Sequence, residues 1–349
     1  MKNRNLLVLN YVMDEEDKLL SHQTEIINVL SKDFEHVYVL TGRIGKTSLP
    51  NNITLKSYNW IKGKRISNSI KLVLAFFEIK KDKNIRYIFS HMTFAQSLVL
   101  LPFTKIFKIK HFLWYAHKSH NIYLQLTHRL FDGIVTSTRD SCPIKTGKIF
   151  PIGQTIEANK FLIKSNTNYP ITKLIHIGRF DPIKRISDII LAVQRVRNNF
   201  PSLTLDLFGS PTSNLSIKYE EEVKLKFQPA IDQGWLRFYP GVPRGEVSGL
   251  LLASHAFIHS CDAALDKVLL EASISRLPVV TINQEFLKFF GSWEVLVDFK
   301  EINLEDELRA LLNVKLEELN RVLDQRYQAT VDHHELNGWT QRLIKVICS

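Results

Sequence analysis

Long apolar runs are missing from this sequence. The longest, Leu72–Phe77 and Leu98–Phe107 (the second broken by Pro102, Thr104 and Lys105), fall well short of the roughly 20 residues that a membrane-spanning helix needs. Cysteine is scarce as well. Cys142, Cys261 and Cys348 are odd in number and widely scattered, which suggests neither a disulfide framework nor a zinc cluster. No Asp-x-Asp pair follows an apolar strand and no His/Cys group has ligand spacing, so no metal site is expected. Internal repeats and low-complexity tracts are missing too. The start, Met1-Lys2-Asn3-Arg4-Asn5, is basic, but the apolar run Leu6–Leu9 is too short for a secretory signal and leads into Met13-Asp14-Glu15-Glu16-Asp17. A cytoplasmic protein is expected.

What is present is globular bulk with a lopsided charge. A chain of 349 residues exceeds one ordinary core and suits two domains of roughly 150–200 residues each. The net charge of +11 is concentrated in the first half: residues 1–170 hold 25 Lys/Arg against 12 Asp/Glu, and the remainder holds 21 against 23. The stretch Lys56–Lys118 alone carries 13 basic residues against Glu78 and Asp82. A one-sided surplus implies a polyanionic partner, with an ordinary solvated, lysine-rich surface as the alternative. An anionic membrane surface, met from the cytoplasmic side by Lys62, Lys64, Arg65, Lys71, Lys80 and Lys81, is the expected partner. Nucleic acid is not expected, because the basic stretch carries no recognised binding motif.

Along the chain, apolar strands alternate with helical patterns. In the first half, strands are read at Asn5–Tyr11, Val37–Leu40 (closed by Thr41-Gly42), Arg86–Ser90, His111–Tyr115, Gly133–Thr136 and Lys148–Ile152. Helical spacing follows Ser21, recurs over Asn68–Lys81 with Ile70, Val73, Leu74 and Phe77 on one face, and begins again over Phe94–Leu101. A polar stretch from Gly153 to about Thr172 has the look of a linker. The alternation then restarts. Strands are read at Lys173–Ile177, Thr204–Phe208, Leu236–Tyr239, Ala256–His259 and Pro278–Ile282, with helices at Ile186–Asn198, Tyr219–Gln233, Val247–Ala253 and Lys267–Ile274. Two parallel, doubly wound sheets are expected, binding ligands at the carboxyl ends of their strands.

Two segments carry chemistry. Gly178-Arg179-Phe180-Asp181-Pro182-Ile183-Lys184 directly follows a strand, so Arg179 offers a planar fork for phosphate oxygens and Lys184 a point charge one short loop away. Two ordinary solvated cations are the competing reading. In Ser260-Cys261-Asp262-Ala263-Ala264-Leu265-Asp266-Lys267-Val268, a strand gives way to a helix whose first amides, at Asp266, Lys267 and Val268, favour an anion. Glu271 follows inside an apolar helix and needs a partner there: the two hydroxyls of a ribose, or a neighbouring cation.

These segments, with Leu205-Asp206-Leu207-Phe208-Gly209, Phe238-Tyr239-Pro240-Gly241-Val242, Leu270-Glu271-Ala272 and Pro278-Val279-Val280 in register, resemble the donor-binding domain of family 4 glycosyltransferases over Leu174–Val280. The resemblance implies an α/β fold of the GT-B kind. Two Rossmann-like, doubly wound domains would face a cleft, residues 1–165 taking the acceptor and 166–330 the nucleotide-sugar donor, with a C-terminal helix in 331–349 (the tail Leu336–Ile347) packing back on the first domain. It implies a retaining, metal-independent hexosyltransferase that uses a nucleotide-diphosphate sugar as co-substrate, needs no further cofactor and extends a glycan or lipid-linked acceptor in cell-surface polysaccharide synthesis. Arg179 and Lys184 would then bind the donor diphosphate as catalytic groups, Gly178 would turn the chain beside it, Glu271 would bind ribose and Val242 would lie near the nucleobase. His117, after the strand ending at Tyr115, would donate a hydrogen bond to the donor sugar or its phosphate, with His91 the second choice. Gly153 would serve as a backbone turn, and His333-His334 as a solvated helix start.

Two departures from the family pattern stand out. Ala263 occupies the place of the family's first glutamate, leaving Asp262 and Asp266 on either side as replacements for holding the donor sugar. No glycine-rich loop follows the first strand; Asn10-Tyr11-Val12-Met13-Asp14 and Ser21-His22-Gln23 stand there. A donor-binding pseudoenzyme or partner subunit, and a nucleotide-sugar epimerase, are the rival expectations.

Overall fold

Among the described residues of the computed structural model every strand pairing is parallel, and the strands form two separate sheets. The structure describes residues 4–17, 20–81, 84–165, 167–294 and 302–349. The chain divides into two compact units, residues 1–154 with 336–349, and residues 155–335.

In the first unit the strands are β1 (Asn5–Met13), β2 (His36–Ile44), β3 (Ile53–Ser57), β4 (Ile85–His91), β5 (Lys110–Trp114), β6 (Gly133–Thr136) and β7 (Ile149–Pro151), ordered β3-β2-β1-β4-β5-β6-β7. Its helices before the chain crosses over are α1 (His22–Leu30), α2 (Arg65–Lys80), α3 (Phe94–Ile106) and α4 (Ile122–Thr127). Leu6, Leu7, Val8 and Leu9 of β1 are all buried, because helices cover both faces of a parallel sheet and remove the in-out alternation. The strand β2 runs on through Thr41-Gly42 instead of closing there, since Thr41 is paired with Asn10 on one side and Ser57 on the other. The sequence pattern does not mark β3, a half-buried edge strand of sequence ITLKS with little apolar signal.

Helix α2 reverses the expected face. Leu72, Ala75, Phe76 and Ile79 are the residues packed into the core, while Ile66, Ile70, Leu74 and Phe77 are exposed. The helix is apolar on two sides, and the side of Leu72, Ala75, Phe76 and Ile79 is the one that joins the core.

In the second unit β8 (Lys173–Ile177), β9 (Thr204–Phe208), β10 (Leu236–Tyr239), β11 (Ala256–His259) and β12 (Val279–Thr281) are ordered β10-β9-β8-β11-β12. The helices are α5 (Ile186–Val196), α6 (Asn214–Lys226), α7 (Gln228–Asp232), α8 (Arg244–Leu252), α9 (Lys267–Ile274), α10 (Gln284–Phe290), α11 (Leu304–Asn313) and α12 (Leu316–His334). The single helix expected over Tyr219–Gln233 is two, α6 and α7, because Pro229 lacks the N–H that a continuous helix would use. α13 (Leu336–Cys348) returns to the first unit, where Trp339, Leu343, Ile344 and Ile347 are buried and Trp339 Nε1 donates to the Gly153 carbonyl at 3.0 Å.

The polar stretch after Gly153 is not a loose tether. Ile156 and Phe161 join the core of the second unit, the Ile156 N–H donates to His334 O at 2.8 Å and the Leu162 N–H to Ser248 Oγ at 2.7 Å. The boundary therefore lies at 154/155, earlier than 165/166. His333 and His334 end α12 instead of starting a helix, and both rings pack edge-on to Phe289.

Candidate functional site

In both sheets the strand order reverses direction at the first strand of the unit, between β1 and β4 and between β8 and β11. Such a reversal sends neighbouring connections to opposite faces and opens a crevice beyond the carboxyl ends of the two strands. In the second unit the loops that border this crevice are the two segments singled out in the sequence: Gly178–Lys184 after β8 and Ser260–Lys267 after β11.

Close backbone packing sets the first loop. The Gly178 N–H donates to Phe208 O at 3.0 Å, and a Cβ on Gly209 would stand 2.0 Å from the Gly178 carbonyl oxygen. Beside it Arg179 is exposed, with Nη1 3.1 Å from Asp181 Oδ2. Asp181 is itself buried and accepts from Thr212 Oγ1 at 3.0 Å and from Ser216 Oγ, so it is a fixed anchor for the loop. A short 3-10 turn, Pro182–Lys184, then aims Lys184 inward, and Arg185 takes the left-handed conformation at φ 50° before α5 begins.

Ser260 ties the second loop to the first, its Oγ donating to the carbonyls of Lys184 at 2.7 Å and Arg185 at 3.0 Å. Asp266, at the N-terminal cap of α9, accepts a charge-assisted hydrogen bond from Lys184 Nζ. His259 Nε2 lies 3.4 Å from the same carboxylate oxygen. Burial alone would raise the Asp266 pKa; the hydrogen bond with His259 and the charge of Lys184 override it and hold the carboxyl well below the usual carboxylate range. Burial also lowers the pKa of His259, and pushes that of His176, stacked on it at 6.1 Å, down to about 3. Both rings are accordingly neutral near neutrality.

One helical turn on, Glu271 is buried and accepts from Arg244 Nη2 at 2.6 Å. Lys267 lies between the two clusters in sequence, with its Nζ shielded from water and without a hydrogen-bond partner. Burial and the nearby charge of Arg244 push its pKa down to about 7, against the opposing pull of Glu271 and Glu157. Val242 and Val268 are half-buried and pack on the adjoining apolar core.

The structure thus joins Lys184 to Asp266 at the start of α9, sets Glu271 of the same helix against Arg244, and leaves Gly178 and Arg179 in the loop that leads to Lys184. Asp262, whose charge also acts on His259, has a partner of its own: its Oδ1 accepts from the Gln284 N–H at 3.0 Å, and it lines a cavity of about 770 Å³ with Arg185, Ser260, Asn303 and Asp306. His117 belongs to the first unit; it is exposed, and its ring, edge-on to Tyr115 at 5.5 Å, loses enough hydration to lower its pKa. His91 ends β4 and is buried against His22 and Trp114. Sequence reasoning missed Arg244 and His259. Their signal was position: Arg244 opens a helix three residues after Gly241, and His259 is the last residue of the strand before Ser260.

A family model described as "Glycosyl transferases group 1" matches residues 157–328. No curated protein matches the chain. Among solved structures the chain is similar to HepE of Anabaena in complex with UDP and glucose, at 12% identity and a TM-score of 0.74, with 99% of each chain covered. It is likewise similar to sucrose-phosphate synthase of Thermosynechococcus elongatus (12% identity, TM-score 0.74, 99% of this chain and 98% of the other). A glycosyltransferase from Rickettsia africae gives 11% identity and a TM-score of 0.73 over 99% of this chain and 98% of the other. At such identities the likeness is one of fold.

Proposed function

This chain belongs to the group 1 glycosyltransferases through residues 157–328, and from that premise we propose that it moves a hexose from a nucleotide-diphosphate sugar to a glycan or lipid-linked acceptor, with retention and without a metal ion. Its α/β fold is that of GT-B glycosyltransferases. The observation that carries the donor reading is the placement of Arg179, Lys184 and the N-terminus of α9 around the switch point of the second sheet.

A diphosphate leaving group develops charge as the bond from the sugar's anomeric carbon to phosphate oxygen breaks. A guanidinium, an ammonium and helix amides aimed at that oxygen stabilise it where water is excluded. The acceptor hydroxyl forms the new bond to the anomeric carbon from the same face, and its proton passes to the departing phosphate. Glu271, one oxygen of which is held by Arg244, presents its other carboxylate oxygen to the ribose hydroxyls. HepE is described with UDP, with UDP and glucose and with UDP-glucose, so a uridine donor is the first to try.

The acceptor reading rests on charge: an acceptor presented at the inner, anionic face of the cytoplasmic membrane in cell-surface polysaccharide synthesis would sit beside the basic stretch Lys56–Lys118. A donor-binding pseudoenzyme is the second reading, favoured by Ala263 and by the engagement of the flanking aspartates, Asp262 with the Gln284 amide and Asp266 with Lys184. Donor consumption with and without acceptor separates the two, and loss of turnover in Arg179→Ala and Glu271→Ala, with melting behaviour retained, supports transfer at this site. Wild-type turnover in both variants rejects it. His117→Ala tests the first unit's part in transfer.

A further inference from the structure

On the first unit, α2 exposes a line of large apolar side chains that no other described element covers. Ile66 is 81% exposed, Ile70 55%, Leu74 58% and Phe77 38%. At 3.6 residues per turn these four fall on one strip of the helix, distinct from the buried side of Leu72, Phe76 and Ile79. The strip continues onto the end of α3. The Phe77 and Phe107 rings meet edge-on at 5.9 Å, Phe107 is 41% exposed, and next to it Ile106 is 71% exposed. A shallow pocket of about 560 Å³ runs between them, with Leu74, Phe77 and Phe107 in its wall.

Cations surround the strip. Lys71 lies about 100° round the helix from Ile70 on one flank and Lys80 about 80° round on the other, with Lys81 at the end of the line. Lys62, Lys64 and Arg65 precede it, and Lys105 and Lys108 stand beside Ile106 and Phe107. Among the described residues of α2, the acid within the strip's border, Glu78, is already ion-paired with Lys56, and Lys105 pairs with Asp132 at 2.9 Å.

We infer that this face of α2 and the end of α3 insert their apolar side chains into the headgroup boundary of an anionic bilayer. An amphipathic surface with bulky aliphatic and phenyl groups at its centre and lysines at its rim matches the layered chemistry of such a boundary, apolar below and phosphate above. A second copy of the chain fits poorly. A two-fold contact through this strip would set Lys71, Lys80 and Lys81 against their own counterparts, and like charges facing each other oppose association. The inference gives the membrane part of the proposed function a defined surface and adds insertion to charge attraction. It is independent of the donor site.

The test is sedimentation of the full chain with vesicles of phosphatidylcholine alone and of equal parts phosphatidylcholine and phosphatidylglycerol. Wild type is expected to bind the second and not the first. The double variant Ile70→Ser/Leu74→Ser keeps every charge, and it is expected to lose at least about ten-fold in binding. Its thermal melt and its donor turnover in solution should match wild type. Lys71→Gln/Lys80→Gln should weaken binding and flatten its dependence on salt. Undiminished binding by the serine variant overturns insertion while leaving charge attraction standing. A failure of wild type to bind anionic vesicles overturns both, and a dimer in light scattering that the serine variant dissolves assigns the strip to self-association instead.

Discussion

Arg244 donates to Glu271 at 2.6 Å, so the carboxylate proposed to hold the ribose is the counter-ion of a guanidinium that enters from the start of another helix. The pair answers the question that a glutamate inside an apolar helix raises. A buried carboxylate needs a hydrogen-bonding partner, and Arg244 supplies it: one carboxylate oxygen is occupied and the group is kept in place for a diol.

Arg244→Gln is therefore expected to raise the donor KM about ten-fold or more with a smaller change in kcat, and Arg244→Lys to recover part of the loss. The folded state should weaken by about 1–3 kcal/mol, as a buried carboxylate loses its charged donor. Steady-state kinetics over a donor series, with a urea titration alongside, reads both effects. An unchanged KM in the glutamine variant would show that Glu271 is set by packing alone.

Arg179 and Lys184 carry the same charge but differ in surroundings. Arg179 is about half exposed and pairs with Asp181, so Arg179→Ala should cost about 0.5 kcal/mol or less in stability while lowering kcat by ~10²–10³. Lys184 is mostly buried against Asp266, and Lys184→Ala should lower both turnover and stability, the second by about 1–3 kcal/mol. Equal stability losses in the two variants would contradict this contrast.

Lys267 links the site to pH. Its pKa in the folded protein, about 7, lies below its ordinary value of 10.5. The unfolded chain consequently binds more protons between these two values, and this residue makes stability rise with pH across that window. Lys267→Met removes the effect. It should stabilise the protein by about 1–2 kcal/mol near pH 6 and progressively less towards pH 10. Denaturant midpoints at a series of pH values decide it, since a constant offset would mean that the ammonium carries no strain.

Gly209 tests the backbone contact beneath the site. A methyl group there would meet the Gly178 carbonyl oxygen at 2.0 Å and the Phe180 ring at 2.7 Å, with no flexible end to move aside. Gly209→Ala should destabilise by about 3 kcal/mol and impair donor binding by displacing the Gly178–Lys184 loop. A wild-type melting curve would show that the two loops sit farther apart than described.

The sequence by itself determined the alternation of elements and the place of the chemistry within it. Short, largely apolar segments bounded by polar or turn residues announce themselves as strands, which is why β6, β8, β9, β10 and β11 are found at their expected bounds. The motif residues Arg179, Lys184 and Glu271 are legible because they directly follow strands or sit at the wrong polarity for their helix. Tertiary structure alone decided the rest. Glu271 finds Arg244 across 27 residues and Lys184 finds Asp266 across 82, and pairings at that range leave no local periodicity. Nor does periodicity choose between the two apolar sides of α2, since both repeat at 3.6 residues. The sheet beneath the helix makes that choice by covering Leu72 and Phe76, and in doing so it turns Ile70 and Leu74 outward.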